Sequence, residues 1–257
     1  MLGNAKWLPL FQNLLDLLYP RFCLQCNASI EKETFRNSET APSDTAASFC
    51  GPCWGSIRRP NGPSCPLCAA PFPSEVALAH SPDHHCGECR ESPPPFARAI
   101  VPFVYEGTLA KAIQSFKYNR QNALAAPLAR LLRPDLETVA VDRVMAVPLH
   151  PRRLRSREFN QSLLLANQVA RALSLPLLID AMKRDRETPP QVGLSKKERQ
   201  KNIHRAFSVP NPDSIRNQRI LLIDDVYTTG ATLREGAKTL IRAGAKEVIV
   251  AAVARIP

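Results

Sequence analysis

The sequence predicts an α/β fold in which a domain with a largely parallel sheet, residues 96–257, follows a small cysteine-rich region. Apolar strand patterns alternate with helical patterns after residue 96, and all eight cysteines lie before residue 90. The charge divides at the same place, since residues 1–95 hold 7 Lys or Arg and 9 Asp or Glu, whereas the rest of the chain holds 27 and 14. A basic field of this size favours phosphates, pyrophosphate or nucleic acid, and a basic surface without a ligand is the alternative.

Residues 1–22 are predicted to form an amphipathic N-terminal helix that ends at Pro20. Its apolar side chains recur at helical spacing, at Trp7, Leu10, Phe11, Leu14, Leu15 and Leu18. We expect this helix to pack on its own domain, because it is too short to span a bilayer and lacks the Lys and Arg cluster that anionic lipid attracts. No secretory signal pattern is visible, so we expect a cytoplasmic protein without membrane insertion.

Residues 23–92 form the cysteine-rich region, with four CxxC pairs. Without export, structural disulfides are not expected, and two thiolates at this spacing provide half of a tetrahedral zinc site. We expect a double zinc ribbon with two structural zinc ions, held by Cys23, Cys26, Cys50, Cys53, Cys65, Cys68, Cys86 and Cys89. The spacing allows sequential pairing, with the first four cysteines on one ion, and also interleaved pairing. Residues 31–48, rich in Ser, Thr, Ala and Glu, are predicted to be a flexible insertion.

Strands and helices are predicted to alternate through residues 96–257. The strand patterns cover residues 99–105, 143–148, 219–223 and 247–253, and the helical patterns cover 108–116, 122–132, 158–174 and 232–243. Gly244 is predicted to end the last helix. This alternation is typical of a parallel sheet, in which ligands bind beyond the C-terminal ends of the strands.

The segment Ile220–Leu233 is the strongest candidate for a binding site. An apolar strand delivers Asp224 and Asp225 to its C-terminal end, and a turn rich in Thr and Gly then opens a helix. Backbone N–H groups at such a turn suit a phosphate, aided by the partial positive charge at the start of the helix. The two carboxylates suit vicinal hydroxyl groups, or a magnesium ion held through water. A Thr-rich helix cap beside two solvated aspartates is the alternative.

This segment resembles the phosphoribosyl pyrophosphate (PRPP) motif of type I phosphoribosyltransferases. The resemblance implies a Rossmann-type phosphoribosyltransferase domain that binds PRPP with Mg²⁺. It assigns the ribose 2′- and 3′-hydroxyl groups to Asp224 and Asp225. It assigns the 5′-phosphate to the following turn, Thr228, Thr229, Gly230, Ala231 and Thr232.

A narrower resemblance covers nearly the whole chain. Residues 147–161, residues 188–207 and the paired-cysteine front end with its leading helix are similar to ComF-type proteins, also called the GntX group. Glu158 stands where that family usually has glycine. The resemblance implies a role in DNA uptake and natural transformation, or in the use of DNA as a nutrient. Single-stranded DNA and DNA-uptake proteins are then the expected partners.

Two basic segments are further candidates. Four arginines lie within six residues after the strand 143–148, in a segment expected to be a loop. They suit the pyrophosphate of PRPP or a nucleic-acid backbone, and a solvent-screened basic loop without a ligand is the alternative. The pyrophosphate-loop candidates are His150, Arg152, Arg153 and Arg157. Residues 188–207 are predicted to be a mobile loop that closes over substrate, with Gln191, Arg199 and Asn202 as its candidate residues. A surface helix over residues 195–201 is the alternative.

The implied reaction is displacement of pyrophosphate from ribose C1 by a nitrogen nucleophile. Thr228 stands where purine phosphoribosyltransferases carry an aspartate that acts on the base, so no general base is visible in the motif and no catalytic residue is assigned. Two hypotheses follow. The protein is a phosphoribosyltransferase with an unidentified acceptor, or it binds PRPP or a nucleotide without turnover and handles single-stranded DNA.

Overall fold

The computed structural model describes residues 22–30, 49–74, 81, 83–188 and 195–256. The predicted N-terminal helix up to residue 21, the predicted insertion 31–48 and Gln191 lie outside these residues. The chain divides into two compact units, Met1–Ile57 with Glu106–Ala112, and Arg58–Tyr105 with Ile113–Pro257.

The first unit carries the first two cysteine pairs on a small apolar core. Its helix α1 (Gly51–Gly55) begins after Cys50, and an isolated antiparallel bridge joins Phe22 to Ser29. Phe49 is fully buried and meets Trp54 edge to face, with ring centroids 5.4 Å apart. A core of this size supplies little folding energy, which is why small domains commonly depend on bound metal.

The second unit contains the other cysteine pairs and the sheet. Its helices are α2 (Gly87–Glu91), α3 (Gly107–Tyr118), α4 (Ala125–Leu136), α5 (Pro151–Arg157), α6 (Gln161–Ala172), α7 (Lys196–Ile203) and α8 (Ala231–Arg242). Of helix α3, the residues from Ile113 onward belong to this unit. Its strands are β1 (Arg98–Ile100), β2 (Phe103–Val104), β3 (Arg143–Ala146), β4 (Leu177–Leu178), β5 (Lys183–Arg184), β6 (Phe207–Ser208), β7 (Arg219–Tyr227) and β8 (Glu247–Arg255). Short 3₁₀ turns cover Asn122–Leu124 and Pro212–Ser214.

The main sheet is parallel throughout its described pairings, as the sequence predicts. Its strand order is β1-β8-β7-β3-β4, with β2 also pairing with β8. The central strands β7 and β8 are buried along most of their length, which explains their continuous apolar runs. Strands β5 and β6 form a separate antiparallel pair.

Several elements differ from their predicted bounds. Strand β7 continues to Tyr227, beyond the predicted end at residue 223, because its pairing with β8 continues as far as Arg255. The predicted strand 99–105 is two short strands separated at Val101 and Pro102.

The segment expected to be a basic loop is instead helix α5, and the predicted helix 158–174 begins later, at Gln161. Pro151 occupies the first turn of α5, and His150 Nδ1 caps it by accepting from the Arg152 N–H. Asn160 Oδ1 starts α6 by accepting from two backbone N–H groups. At the end of α8, Gly244 has φ +99° and Ala245 N–H bonds to the Leu240 carbonyl, which confirms the predicted helix end.

The second cysteine segment packs against the sheet domain within the same unit. Ala99 N–H donates to the Leu67 carbonyl at 2.7 Å. The Arg255 guanidinium lies 4.2 Å from the centre of the Tyr227 ring and donates to the Cys68 carbonyl. The first turn of α8 is also attached, since Arg234 donates to the Ser92 carbonyl at 3.1 Å. Through these two arginines, the second cysteine segment is linked to both ends of the turn that joins β7 to α8.

Candidate functional site

The turn between β7 and α8 is closed by Gly230. This residue has φ +72°, and a Cβ placed on it would lie 2.2 Å from the Tyr227 hydroxyl oxygen. Only glycine fits without moving the tyrosine. Thr229 Oγ1 accepts from the Ala231 N–H at 3.4 Å, which supports the first turn of α8. The result is a tight turn at the start of a twelve-residue helix, a geometry that favours an anion.

The acidic pair at the end of β7 is held by side chains from two helices. Lys117 Nζ of α3 lies 2.9 Å from Asp225 Oδ1, and both side chains are largely buried. Ser162 Oγ of α6 donates to Asp224 Oδ1 at 2.9 Å, and the Asp225 N–H donates to the same oxygen. Asp225 is therefore paired within the protein, whereas the hydrogen bonds that reach Asp224 from the described residues go to only one of its two oxygens.

The two carboxylates differ from ordinary aspartates because they share a buried site. Burial and the charge of Asp225 raise the pKa of Asp224 to about 6, although Lys117 and the Ser162 hydroxyl oppose this rise. Burial alone would lower the pKa of Lys117, but its attraction to Asp225 and Asp224 more than offsets burial and leaves the pKa above its ordinary value. Asp224 therefore becomes ionised just below neutral pH, beside a lysine that stays charged.

A cavity of about 880 Å³ opens beside this pair. The predicted site residues that line it are Arg153, Arg157, Arg199, Asp224, Asp225, Thr228 and Thr232. Thr229, Gly230 and Ala231 form the adjoining turn. His150 and Arg152 are not among the lining residues, since His150 caps α5 and Arg152 pairs with Glu187. Asn202, also away from the lining, accepts from Arg186 through its carbonyl.

Polar side chains behind the cavity fix the positions of its charged groups. Asn160 Nδ2 donates to the Val147 carbonyl at 3.0 Å, which ties α6 to the end of β3. Gln161, 1% exposed, donates to the Lys117 carbonyl and accepts from Arg157 Nη1. Arg157 also lies over the Tyr118 ring at 5.1 Å. The arginine and the lysine are thus joined through one buried amide.

Glu158, in the position where the resembled family has glycine, has φ +67°. This left-handed conformation is open to glycine and costs other residues about 1–2 kcal/mol. The side chain forms an exposed ion pair with Arg120. The turn geometry that glycine would favour is therefore kept despite the substitution.

The residues of the site that were not identified from the sequence include Lys117, Ser162 and Arg184. Lys117 directly follows the fully buried Phe116, so the signal that could have found it is a lysine at the buried edge of an apolar helix. Ser162 and Arg184 carry no local signal of this kind, because their roles depend on the strands and helices that the fold brings together.

The eight cysteines form two clusters with sequential pairing. Cys23, Cys26, Cys50 and Cys53 form one, Cys65, Cys68, Cys86 and Cys89 form the other, and the sulfur atoms of each lie within 4.8 Å of one another. The pairs Cys26–Cys50 and Cys68–Cys86 are each 3.6 Å apart. A tetrahedral ion with Zn–S bonds of about 2.3 Å separates its sulfurs by about 3.8 Å. The clusters therefore fit zinc.

Both clusters share one local plan. Cys23 N–H bonds to the Ala28 carbonyl as Cys65 N–H bonds to the Ala70 carbonyl, each at 2.8 Å, and Cys50 and Cys86 each precede a short helix.

Ionisation of the thiols also favours a metal. Burial opposes ionisation of Cys23, but backbone N–H donors from Cys26, Cys50 and Gln25 bring its pKa to about 6. Burial and the neighbouring thiols raise the pKa of Cys53. One thiolate thus forms readily, and full ionisation of the four requires a compensating cation. Closed four-thiolate sites of this type hold structural zinc.

Comparison with known proteins identifies the family. Residues 160–257 match the phosphoribosyl transferase domain model, and residues 14–90 match the double zinc ribbon domain model. The chain is 35% identical over 193 residues to the DNA utilization protein YhgH of Escherichia coli K12, which covers 72% of this chain and 81% of that protein. The chain belongs to the ComF family. ComF relatives also include Competence protein F of Haemophilus influenzae, 35% identical over 179 residues that cover 66% of this chain and 78% of that one.

Among solved structures, the purine phosphoribosyltransferase from Pyrococcus horikoshii is 20% identical, covers 57% of this chain and 73% of its own, and has a TM-score of 0.32. The family models and the parallel sheet confirm the predicted architecture of this ComF protein, in which a double zinc ribbon precedes a type I phosphoribosyltransferase domain. Within the described residues, none of its helices combines the length and apolar character that a membrane crossing requires.

Proposed function

We propose that this ComF-family protein binds PRPP with Mg²⁺ and transfers its phosphoribosyl group to a nitrogen acceptor during the use or uptake of DNA. The observation that carries this proposal is the acidic pair Asp224–Asp225 at the end of β7, followed by the Gly230 turn and facing an arginine-lined cavity. The names of YhgH and Competence protein F support the biological setting.

Each part of the cavity suits one part of PRPP. The turn at the start of α8 suits the 5′-phosphate, because its backbone N–H groups and the helix end attract an anion. Asp224 suits the ribose hydroxyl groups as an acceptor, and the Asp225–Lys117 pair holds the strand end in place behind it. Arg153 and Arg157 suit the pyrophosphate, since guanidinium groups bind phosphate oxygens in pairs.

The donor set also suits Mg²⁺. Asp224 and Asp225 offer carboxylate oxygens, and Mg²⁺ usually keeps several waters while binding one or two carboxylates and substrate phosphates. When bound, the ion would neutralise charge on the departing pyrophosphate. In the proposed step, the bond between C1 and a pyrophosphate oxygen breaks, that oxygen takes the electron pair, and a bond from C1 to the acceptor nitrogen forms. The nitrogen then loses a proton.

Calorimetry tests the binding half of the proposal. Titration with PRPP and Mg²⁺ should give saturable binding to the wild type. Asp224→Asn should weaken it roughly tenfold to a hundredfold, because it removes a charged hydrogen-bond acceptor. Asp213→Asn is the matched control, since Asp213 is exposed and pairs only with the nearby Arg216 among the described residues. Equal affinity for the wild type and Asp224→Asn would contradict the assigned site.

Turnover is tested separately. The protein is incubated with PRPP and a panel of bases, ammonia donors and single-stranded DNA, and pyrophosphate is measured. Release above the control without protein supports transfer. If pyrophosphate release is absent across the panel while PRPP and DNA bind, the non-catalytic alternative from the sequence is supported instead.

A further inference from the structure

Arg184 of β5 is a buried arginine in the wall of the cavity. Arg184 is 6% exposed and lines the cavity. Its guanidinium donates to Thr188 Oγ1 and lies 5.7 Å from the centre of the Phe207 ring. Its Nε is buried without a hydrogen-bond partner among the described residues. A guanidinium has five N–H donors, and the bond to Thr188 uses only part of that capacity within the described residues.

No acidic side chain among the described residues pairs directly with Arg184. Within the described part of the chain, no carboxylate lies within ion-pair distance of it, whereas Arg219 and Arg59 pair directly with Asp142 and Asp135. Burial and the like charges of Arg153 and Arg186 lower the pKa of Arg184 to about 10, although the charge of Asp224 opposes this. The guanidinium nevertheless stays charged at neutral pH, so the protein holds a buried cation that Asp224 compensates only in part and without a direct ion pair. Burying a charge in this way is costly unless a partner is supplied.

Arg153 of α5 brings a second guanidinium to Thr188. Arg153 Nη2 donates to the Thr188 carbonyl at 2.9 Å, and Arg184 bonds to the hydroxyl of the same residue. Both arginines line the cavity that contains Asp224. Burial also lowers the pKa of Arg153, and the like charge of Arg157 contributes. Two cations thus converge on one threonine beside an open cavity, where they repel each other and where a bound anion would relieve the repulsion.

We propose that Arg184 and Arg153 form an oxyanion subsite, with Thr188 fixing the spacing between them. Its ligand is a phosphate or carboxylate group, supplied either by the pyrophosphate of PRPP or by an anionic group on the acceptor. The naming of these two sources rests on the proposed function, whereas the binding of an anion by the two arginines does not.

The subsite is tested with Arg184→Met, which removes the charge at similar volume, and Arg184→Lys, which keeps the charge and loses the planar fork. Arg171→Met, at an exposed arginine on α6, is the matched control. Calorimetry with inorganic pyrophosphate and with ribose 5-phosphate separates the two ends of PRPP. If the anion comes from PRPP, Arg184→Met weakens pyrophosphate binding roughly tenfold to a hundredfold and leaves ribose 5-phosphate within about twofold.

If the anion belongs to the acceptor, Arg184→Met keeps PRPP affinity but loses the binding of inorganic phosphate to the PRPP-saturated protein. Both results support the subsite. Unchanged binding of pyrophosphate, PRPP and phosphate in Arg184→Met would overturn it. If Arg184→Met does not fold, Arg184→Lys decides by the same criteria. If the wild type binds pyrophosphate but not PRPP, the proposed function is refuted and the oxyanion subsite is not.

Discussion

Lys117→Met should destabilise the second unit strongly, because it leaves Asp225 buried without a partner. Lys117 Nζ and Asp225 Oδ1 are 2.9 Å apart, with side chains only 19% and 11% exposed. Breaking a buried pair from one side typically costs about 3–5 kcal/mol. With an m-value near 3 kcal/mol/M, the midpoint of urea unfolding should fall by roughly 1 M or more.

Two further variants separate the ion pair from general effects of the substitution. Lys246→Met removes an exposed lysine and should change the free energy of unfolding by less than about 0.5 kcal/mol. The double variant Lys117→Met with Asp225→Leu should recover part of the loss, since apolar groups can replace a buried pair at little cost. A loss below about 1 kcal/mol in Lys117→Met would refute the reasoning.

The same variant should shift the pH dependence of PRPP binding. The pKa of Asp224 is about 6 and Lys117 lowers it, so removing the lysine raises it further. Because a raised carboxyl pKa favours the protonated folded state, the contribution of Asp224 to stability is present below pH 4 and is lost as the pH rises through 6. Binding that needs the ionised form has the opposite dependence, increasing as the pH rises through 6. In Lys117→Met the midpoint should lie at higher pH, which calorimetry between pH 5 and 8 would detect.

Two other substitutions have clear expected outcomes. Gly230→Ala should lower the free energy of unfolding by about 1–2 kcal/mol for the left-handed φ alone, and it should weaken PRPP binding because the new Cβ displaces the Tyr227 hydroxyl; unchanged affinity in calorimetry would rule out the turn as the phosphate site. Glu158→Gly should be more stable to urea than Glu158→Ala by about 1 kcal/mol, since both lose the Arg120 pair and only glycine adopts φ +67° freely; equal stability of the two variants would show that this backbone carries no strain.

The parallel sheet and the acidic turn could be predicted because their signals are local. The run Ile220–Ile223 is continuously apolar, as a strand buried on both faces requires, and the acidic pair and turn follow it directly. The end of β7 could not be predicted, because it depends on hydrogen bonds to β8. Sequential pairing of the cysteines is likewise a property of the folded clusters, since spacing permits both arrangements.

Helix α5 shows why the rest of the site was harder to predict. Its seven residues contain four arginines and no buried side chain, so no apolar periodicity marks it as a helix. Its cap and its long-range partners stabilise it instead, including Glu187 for Arg152 and the Thr188 carbonyl for Arg153. Arg184 is also hard to predict, since its significance comes from its burial without a direct ion pair among the described residues, which a sequence does not display.

The contacts of Arg255 and Arg234 with the second ribbon affect how truncated versions of this protein should be interpreted. A fragment beginning at residue 96 would retain every residue that lines the cavity, yet Arg255 would lose the Cys68 carbonyl and Arg234 the Ser92 carbonyl. Both arginines would then be free to change position beside Tyr227 and the first turn of α8. Loss of ligand binding in such a fragment would therefore not mean that the ribbon touches the ligand. Point substitutions at these two arginines separate the two explanations, because they leave the ribbon in place.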